Sequence, residues 1–101
     1  MSSTAHNTFI KICGLTREAD VLDCALAGVQ AIGFVMYAKS ARFVSPERAG
    51  TLAKLLPPGI TPVLLFVNAS LAEVQSACQA VPNALLQFHG DESPAECERL
   101  A

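Results

Sequence analysis

The sequence predicts an α/β fold in which strand–helix units repeat and the strands form a parallel sheet. Four short apolar runs alternate with stretches in which apolar residues recur at helical spacing. The runs are apolar over most of their length and do not strictly alternate with polar residues, which is typical of strands buried on both faces. Such alternation implies a parallel sheet with right-handed crossovers.

The first unit combines a strand over residues 8–13 with a helix that begins near Thr16. Gly28 ends this helix. Its apolar residues at helical spacing are Val21, Leu22, Ala25 and Leu26.

The second unit has a strand over residues 30–36, a polar loop, and a helix opened by Ser45. Serine is a favoured N-cap, and Pro46 suits the first helical position. Pro57 and Pro58 end the helix, because proline cannot continue its hydrogen-bond ladder.

The third unit has a strand over residues 61–68 and a helix opened by a capping box of Ser70 and Glu73. This helix is expected to stop near Pro82. The side chains expected in the core are Leu71, Val74 and Ala77.

The fourth unit has a strand over residues 84–90. Ser93 and Glu96 form another capping box, and the helix they open runs to Ala101 without a terminating glycine or proline. We therefore expect the chain to be cut short within a larger fold.

Two architectures fit such units: a small open sheet with helices on both faces, or half of a (β/α)8 barrel. The chain is 51% hydrophobic and 16% charged, and its mean hydropathy is +0.39. A domain of this size buries only about two-thirds of the surface that its unfolded chain exposes. The excess of apolar residues favours the half-barrel, whose open side needs a cover.

Charge and composition exclude several classes of partner. The net charge of −2 argues against nucleic acid and anionic membranes, and no apolar run is long enough to span a bilayer. The polar N-terminus lacks a signal-peptide pattern, which predicts a cytoplasmic protein. The cysteines lack zinc-ligand spacing, so we expect reduced thiols and no metal. They are Cys13, Cys24, Cys78 and Cys97.

Ligands of parallel α/β folds bind at the carboxyl ends of the strands. Alternation along the first strand turns Lys11 and Cys13 to the inner face, and Ile10 and Ile12 to the helices. In the fourth strand the same rule turns Gln87 and His89 inward. Leu86 and Phe88 then face the helices.

Each inward residue has a structural and a functional interpretation. Cys13 could be a small buried apolar residue or a reactive thiol. Lys11 could form a structural ion pair or tune a site. His89 could be a hydrogen-bonded residue at a strand end, and Asp91 fits loop structure beside Gly90.

Several motifs together resemble the phosphoribosylanthranilate isomerase family of tryptophan biosynthesis. They are "KICGLT", "AIGFV", "KSARFVSPE", "LFVN" and "LLQFHGDESP", in this order. The resemblance implies a (β/α)8 barrel that converts N-(5-phosphoribosyl)anthranilate to 1-(2-carboxyphenylamino)-1-deoxyribulose 5-phosphate by an Amadori rearrangement. No cofactor is implied.

The resemblance also assigns roles and domain bounds. It makes Cys13 the catalytic base and Arg42 the ligand of the anthranilate carboxylate. Gln87, His89 and Lys11 are expected in the substrate pocket. Residues 1–7 would be a flexible tail, and residues 8–101 the N-terminal half of the barrel.

The resemblance places a general acid, an aspartate on the fifth strand, and the phosphate site, in the last two loops, beyond this chain. The 101-residue chain alone is therefore expected to be inactive. The substrate would be a phosphorylated small molecule, with no nucleic acid or membrane partner. The alternative function is a non-catalytic half-barrel that acts as a binding or assembly module and associates with itself.

Overall fold

The computed structural model describes residues 9–90, which form four strands and three helices in strict alternation. The elements are β1 (Lys11–Cys13), α1 (Glu18–Leu26), β2 (Ala31–Val35), α2 (Pro46–Ala53), β3 (Thr61–Phe66), α3 (Leu71–Ala80) and β4 (Leu85–Phe88).

All strand pairs are parallel, and the sheet order is β1-β2-β3-β4. The predicted α/β fold is therefore confirmed. Each right-handed crossover advances in the same direction, so the helices gather on one face of the sheet. An open doubly wound sheet instead reverses its strand order at a switch point. The unreversed order is that of the first half of a barrel.

The outer face of the sheet and the helices share one hydrophobic core. Fully buried side chains of the central strands pack against helix residues; the largest are Ile32, Phe34, Leu64 and Phe66, with Val21, Leu52 and Val74 from the helices. Leu86 and Phe88 lie against this core, as predicted. The Phe88 ring stacks on Phe66 with centroids 5.7 Å apart.

The predicted helix caps are confirmed. The Ser45 side chain accepts a hydrogen bond from the Arg48 backbone N–H at 3.1 Å, with Pro46 as first residue of α2. Ser70 and Glu73 form both hydrogen bonds of a capping box at the start of α3. The predicted tail over residues 1–7 and the helix after Ser93 lie outside the described residues, as do Asp91 and Cys97.

Two predicted core side chains are half-exposed. Leu71 is 42% exposed because it lies about 90° around the helix axis from the midpoint of Val74 and Ala77, the buried residues of α3. Ile10 is 44% exposed and immediately precedes β1, an edge strand of the sheet.

Of the apolar residues predicted on α1, some are buried and others are exposed. Val21 is fully buried, whereas Leu22 is 45% and Leu26 88% exposed. The helix covers the edge strand with one narrow stripe, and the described residues include no neighbouring helix on its far side.

The sheet is strongly curved. Neighbouring strands lie about 4.8 Å apart, so β1 and β4 would stand roughly 14 Å apart in a flat sheet. Nevertheless, the Lys11 ammonium donates a hydrogen bond to the Gln87 side-chain oxygen. Because side chains stand roughly perpendicular to a sheet, this contact requires both edges to curl toward the inner face.

Candidate active site

Cys13 is the last residue of β1, and its side chain lies over the neighbouring strand. It pairs in register with Gly33 of β2. A Cβ atom built on Gly33 would lie 2.5 Å from the Cys13 Sγ. The absence of a side chain on Gly33 therefore makes the space that the thiol occupies. In the sequence, the only signal for this role is a glycine inside an apolar strand.

Arg42 reaches the same corner of the sheet from the loop between β2 and α2. Its Cδ lies 2.6 Å, and its Nη1 3.2 Å, from where a Gly14 Cβ would stand. Gly14 also has φ +88°, a conformation that favours glycine. Two requirements therefore select glycine immediately after Cys13, and the close contact is the one that brings Arg42 beside the strand end.

The Arg42 guanidinium is exposed, and no carboxylate of residues 9–90 forms an ion pair with it. Its backbone N–H donates to Ser40 Oγ at 3.1 Å, which shapes the loop. The side chain therefore presents its planar fork of donors to solvent at the carboxyl edge, in a form suited to a carboxylate.

Lys11, Gln87 and His89 form one hydrogen-bonded row across the inner face. The Lys11 ammonium donates to Gln87 Oε1, and Gln87 Nε2 lies 2.7 Å from His89 Nε2. Lys11 therefore bonds a neutral amide of β4, where the sequence left open an ion pair or a role beside Cys13. The structure brings these three predicted residues together.

An ion pair braces the loop that follows Cys13. Arg48 of α2 donates to both carboxylate oxygens of Glu18, at 2.8 and 2.6 Å, and to the Thr16 carbonyl at 3.4 Å. The hydrogen bonds from Arg48 lower the pKa of Glu18 to about 2. The pair joins residues that are 30 positions apart, so no local motif reveals it.

The loops after β3 and β4 also pack closely. Asn68 has a left-handed backbone, with φ +50°, and its Oδ1 lies 2.5 Å from where a Gly90 Cβ would stand. Asparagine tolerates this conformation better than most residues. A side chain at position 90 would displace the Asn68 loop from the edge that carries His89.

The remaining cysteines of the described segment lie on helices. Cys24 is in α1 and Cys78 in α3, and both thiols are free, as is that of Cys13. Burial raises the pKa of the Cys78 thiol. Within residues 9–90, no cluster of three metal-ligating side chains occurs, and no helix has the length and apolar character to cross a bilayer.

A one-sided layer of helices on a curved parallel sheet, with polar side chains at its carboxyl edge, defines the chain as part of a (β/α)8-barrel protein. The model of the N-(5'phosphoribosyl)anthranilate (PRA) isomerase family matches residues 10–101. The chain belongs to this family.

Two relatives that carry the name of this family are similar to the chain over most of its length. The N-(5'-phosphoribosyl)anthranilate isomerase of Methylibium petroleiphilum is 62% identical over 93 residues, which are 92% of this chain and 44% of the relative. That of Leptothrix cholodnii is 59% identical over 91 residues, which cover 90% and 41% of the two chains. The chain thus spans less than half the length of these relatives.

Solved structures show the same partial coverage. The phosphoribosyl anthranilate isomerase of Thermotoga maritima superposes with a TM-score of 0.87 at 35% identity, over 92% of this chain and 45% of that one. Another phosphoribosyl anthranilate isomerase structure, in complex with reduced 1-(o-carboxyphenylamino)-1-deoxyribulose 5-phosphate, has the same TM-score and identity and is covered over 48% of its length.

The high identity to the M. petroleiphilum relative permits a closed-barrel test protein. In this protein, called the chimera below, the present chain replaces the matching 93-residue segment of that relative. The chimera is designed to retain the described contacts and to supply the later strands of the barrel, so it is the reference for the variants that follow.

Replacing Gly33 by alanine in the chimera is expected to cost about 1–3 kcal/mol of unfolding free energy, the range for overpacking a core. The new methyl would clash with the Cys13 sulfur. Denaturant unfolding measures the cost. The same substitution in a Cys13→Ala background should cost less, because the sulfur is gone. Equal costs in both backgrounds would show that Gly33 does not make room for the thiol.

The Glu18–Arg48 pair predicts an acid-dependent stability difference. A carboxylate whose folded pKa is depressed stabilises the fold above its unfolded value of 4.5 and loses that contribution as the pH falls toward about 2. At pH 6 the melting temperature of the Glu18→Gln chimera should therefore lie below that of the unsubstituted chimera. The difference between the two melting temperatures should disappear as the pH falls toward 2. Both side chains are partly exposed, so the gap will be small.

The matched control for this titration is Glu47→Gln, since Glu47 also lies in a first helical turn but forms no ion pair among residues 9–90. A gap for Glu18→Gln that is independent of pH would contradict the assigned role of the ion pair.

Proposed function

We propose that this chain is the N-terminal half of a phosphoribosylanthranilate isomerase barrel, formed by residues 8–101. The observation that carries the proposal is the corner where the Cys13 thiol ends β1 and the Arg42 side chain lies on Gly14. Both lie in the segment that matches the family model. The proposal includes a phosphorylated small-molecule substrate and a cytoplasmic location.

The reaction isomerises N-(5-phosphoribosyl)anthranilate without an external oxidant or reductant. An acid protonates the ring oxygen, and the bond from that oxygen to C1 breaks to give a Schiff base. Cys13, as its thiolate, takes the proton from C2, which gives an enolamine. A proton added at C1 and the loss of the C2 hydroxyl proton then convert the enolamine to the C2 ketone, so the two protons taken up at the ring oxygen and C1 match the two released from C2 and its hydroxyl. The carbon C1 is reduced and C2 oxidised, so atoms and electrons balance.

Arg42 binds the anthranilate carboxylate in this proposal. Its guanidinium offers two parallel N–H donors, which match the two oxygens of a carboxylate. The contact with Gly14 sets the side chain next to Cys13, so it would orient the substrate relative to the base. Gln87 and His89 form the wall of the pocket on the side of β4, and Lys11 acts on that wall through Gln87.

The acid and the phosphate site belong to the second half of the barrel in the family resemblance. We therefore propose that the 101-residue chain alone has no isomerase activity. The partner that completes the site is a chain or segment with the later strands of the barrel.

A second candidate function is a binding or assembly module. It is favoured by exposed apolar side chains on α1 and on the edge strand β4, since Leu26 is 88% and Leu85 60% exposed. The occupant of these surfaces in this case is a second copy of the chain.

The isomerase assay on the chimera tests the proposed function. We expect the chimera to convert N-(5-phosphoribosyl)anthranilate to the aminoketose, followed by chromatography of substrate and product. The M. petroleiphilum relative is the positive control. A chimera that folds cooperatively but does not convert the substrate would contradict the proposal and favour the assembly module.

Replacing Arg42 by lysine should weaken substrate binding by about 1.5–3 kcal/mol, the range for a charged hydrogen bond. Lysine keeps the charge but loses the bidentate fork. Titration of the chimera with product, and with an analogue that lacks the carboxylate, measures the effect. Arg17→Lys, at an exposed arginine that precedes α1 and pairs with Asp20, is the control. If Arg42→Lys weakens the binding of the analogue without the carboxylate as much as that of the product, Arg42 does not bind the carboxylate.

A further inference from the structure

We propose that Lys11 is a positioning residue that acts through Gln87 to hold His89 in one tautomer, with the ring proton on Nδ1. The tautomer follows from contacts within the chain. Only the nature of the ligand that His89 meets rests on the proposed function.

The first step is the orientation of the Gln87 amide. A lysine ammonium has three donors and no acceptor, so the amide atom that faces it must be the oxygen. Lys11 Nζ donates to Gln87 Oε1 in this way. Lys11 has no carboxylate partner within residues 9–90. Among these residues its ammonium therefore relies on the Gln87 oxygen as its acceptor.

The second step follows from the first. With its oxygen turned to Lys11, the Gln87 amide presents its NH2 group to His89, and this group only donates. Its Nε2 lies 2.7 Å from His89 Nε2, so the histidine nitrogen must accept with its lone pair. A proton on that nitrogen would place two donors against each other. The neutral ring therefore carries its proton on Nδ1.

The third step concerns what this tautomer presents. The two ring nitrogens point in nearly opposite directions, so Nδ1 faces away from Gln87. The His89 side chain is exposed, and no atom of residues 9–90 accepts a hydrogen bond from Nδ1. A neutral N–H donor thus stands at the carboxyl end of β4, where it suits an acceptor oxygen of the ligand and rejects a second donor.

The anchor comes from the other edge of the sheet. Lys11 belongs to β1 and Gln87 to β4, 76 residues later in the chain. Their contact exists only because the sheet curves, so the tautomer of His89 depends on the barrel geometry as well as on its neighbours in β4. Loss of Lys11 would free the amide to turn over, and both tautomers would then be populated.

Nitrogen NMR of the histidine ring in the chimera tests this inference. Long-range proton–nitrogen spectra at neutral pH distinguish a nitrogen that carries a proton from one with a lone pair, and His89→Asn assigns the signals. In the unsubstituted chimera we expect a protonated Nδ1 and a lone pair on Nε2. A protonated Nε2 would overturn the proposal.

Two variants test the relay itself. Gln87→Glu has nearly the same shape and keeps an oxygen for Lys11, but its second oxygen accepts instead of donating. We expect Nε2 of His89 to become protonated in this variant. Lys11→Met should give averaged signals from both tautomers, whereas Lys54→Met, an exposed lysine at the end of α2, should leave the spectrum unchanged.

If Lys11→Met does not fold, the Gln87→Glu spectrum decides by itself. Unchanged nitrogen signals in Gln87→Glu would overturn the relay. The readout is independent of turnover: an inactive chimera with the expected tautomer would reject the proposed function alone, and an active chimera with the opposite tautomer would reject this inference alone.

Discussion

Replacing Cys13 by serine is expected to lower the turnover of the chimera by about 10²–10⁴-fold, the usual cost of removing a general base. A serine hydroxyl holds its proton far more tightly than a thiol, so it cannot take the C2 proton at neutral pH. Serine is also no larger than cysteine, and it fits the space above Gly33. The loss should therefore appear in kcat, with the fold intact.

The binding of the product should change little in this variant, because Arg42 keeps its place on Gly14. Cys24→Ser and Cys78→Ser are the matched controls, since both residues lie on helices away from the strand end. These controls should alter the melting temperature and leave turnover unchanged. Near-normal turnover of Cys13→Ser would remove Cys13 from the mechanism.

The 101-residue chain alone is expected to self-associate or aggregate, and to show no turnover. Among residues 9–90, the edge strands β1 and β4 each pair on one side only, and an open sheet edge invites pairing with another chain. Apolar side chains at these edges and on α1 are open to water: Phe9 is 67%, Leu85 60% and, on α1, Leu26 88% exposed. Patches of this kind are uncommon on monomers.

Sedimentation at micromolar concentration, with an isomerase assay on the same sample, measures both expectations. Leu26→Lys should shift the chain toward the monomer, and Ala27→Lys, its exposed neighbour at the helix end, is the matched control. Adding a chain with strands five to eight should restore activity. A compact monomer that unfolds cooperatively would refute the first expectation, and turnover by that monomer the second.

The order of the elements and the starts of α2 and α3 could be predicted from the sequence, because these features depend on short-range chemistry. The end of α2 was predicted at Pro57, but the helix ends at Ala53. Ser45 with Pro46, and Ser70 with Glu73, open helices through hydrogen bonds to residues three positions away. The alternation along β4 also separated Phe88, against the core, from the inward row, because its period is a property of the extended chain.

The partners within the candidate site were decided by the tertiary structure. The position of the thiol above Gly33 depends on the register of β1 against β2, which no local pattern encodes. The exposure of Leu71 likewise depends on where α3 meets the sheet. Motifs named the residues at the strand ends, but not what each one touches.

The hydrogen-bonded row from Lys11 to His89 separates most clearly what the sequence determined from what the tertiary structure decided. Strand alternation alone turns both residues inward, and the sequence determined that much. Their connection through Gln87 required the curvature of the sheet, which brings together residues 76 positions apart. Curvature is a collective result of strand twist and of helices packed on one face, so only the tertiary structure decided it.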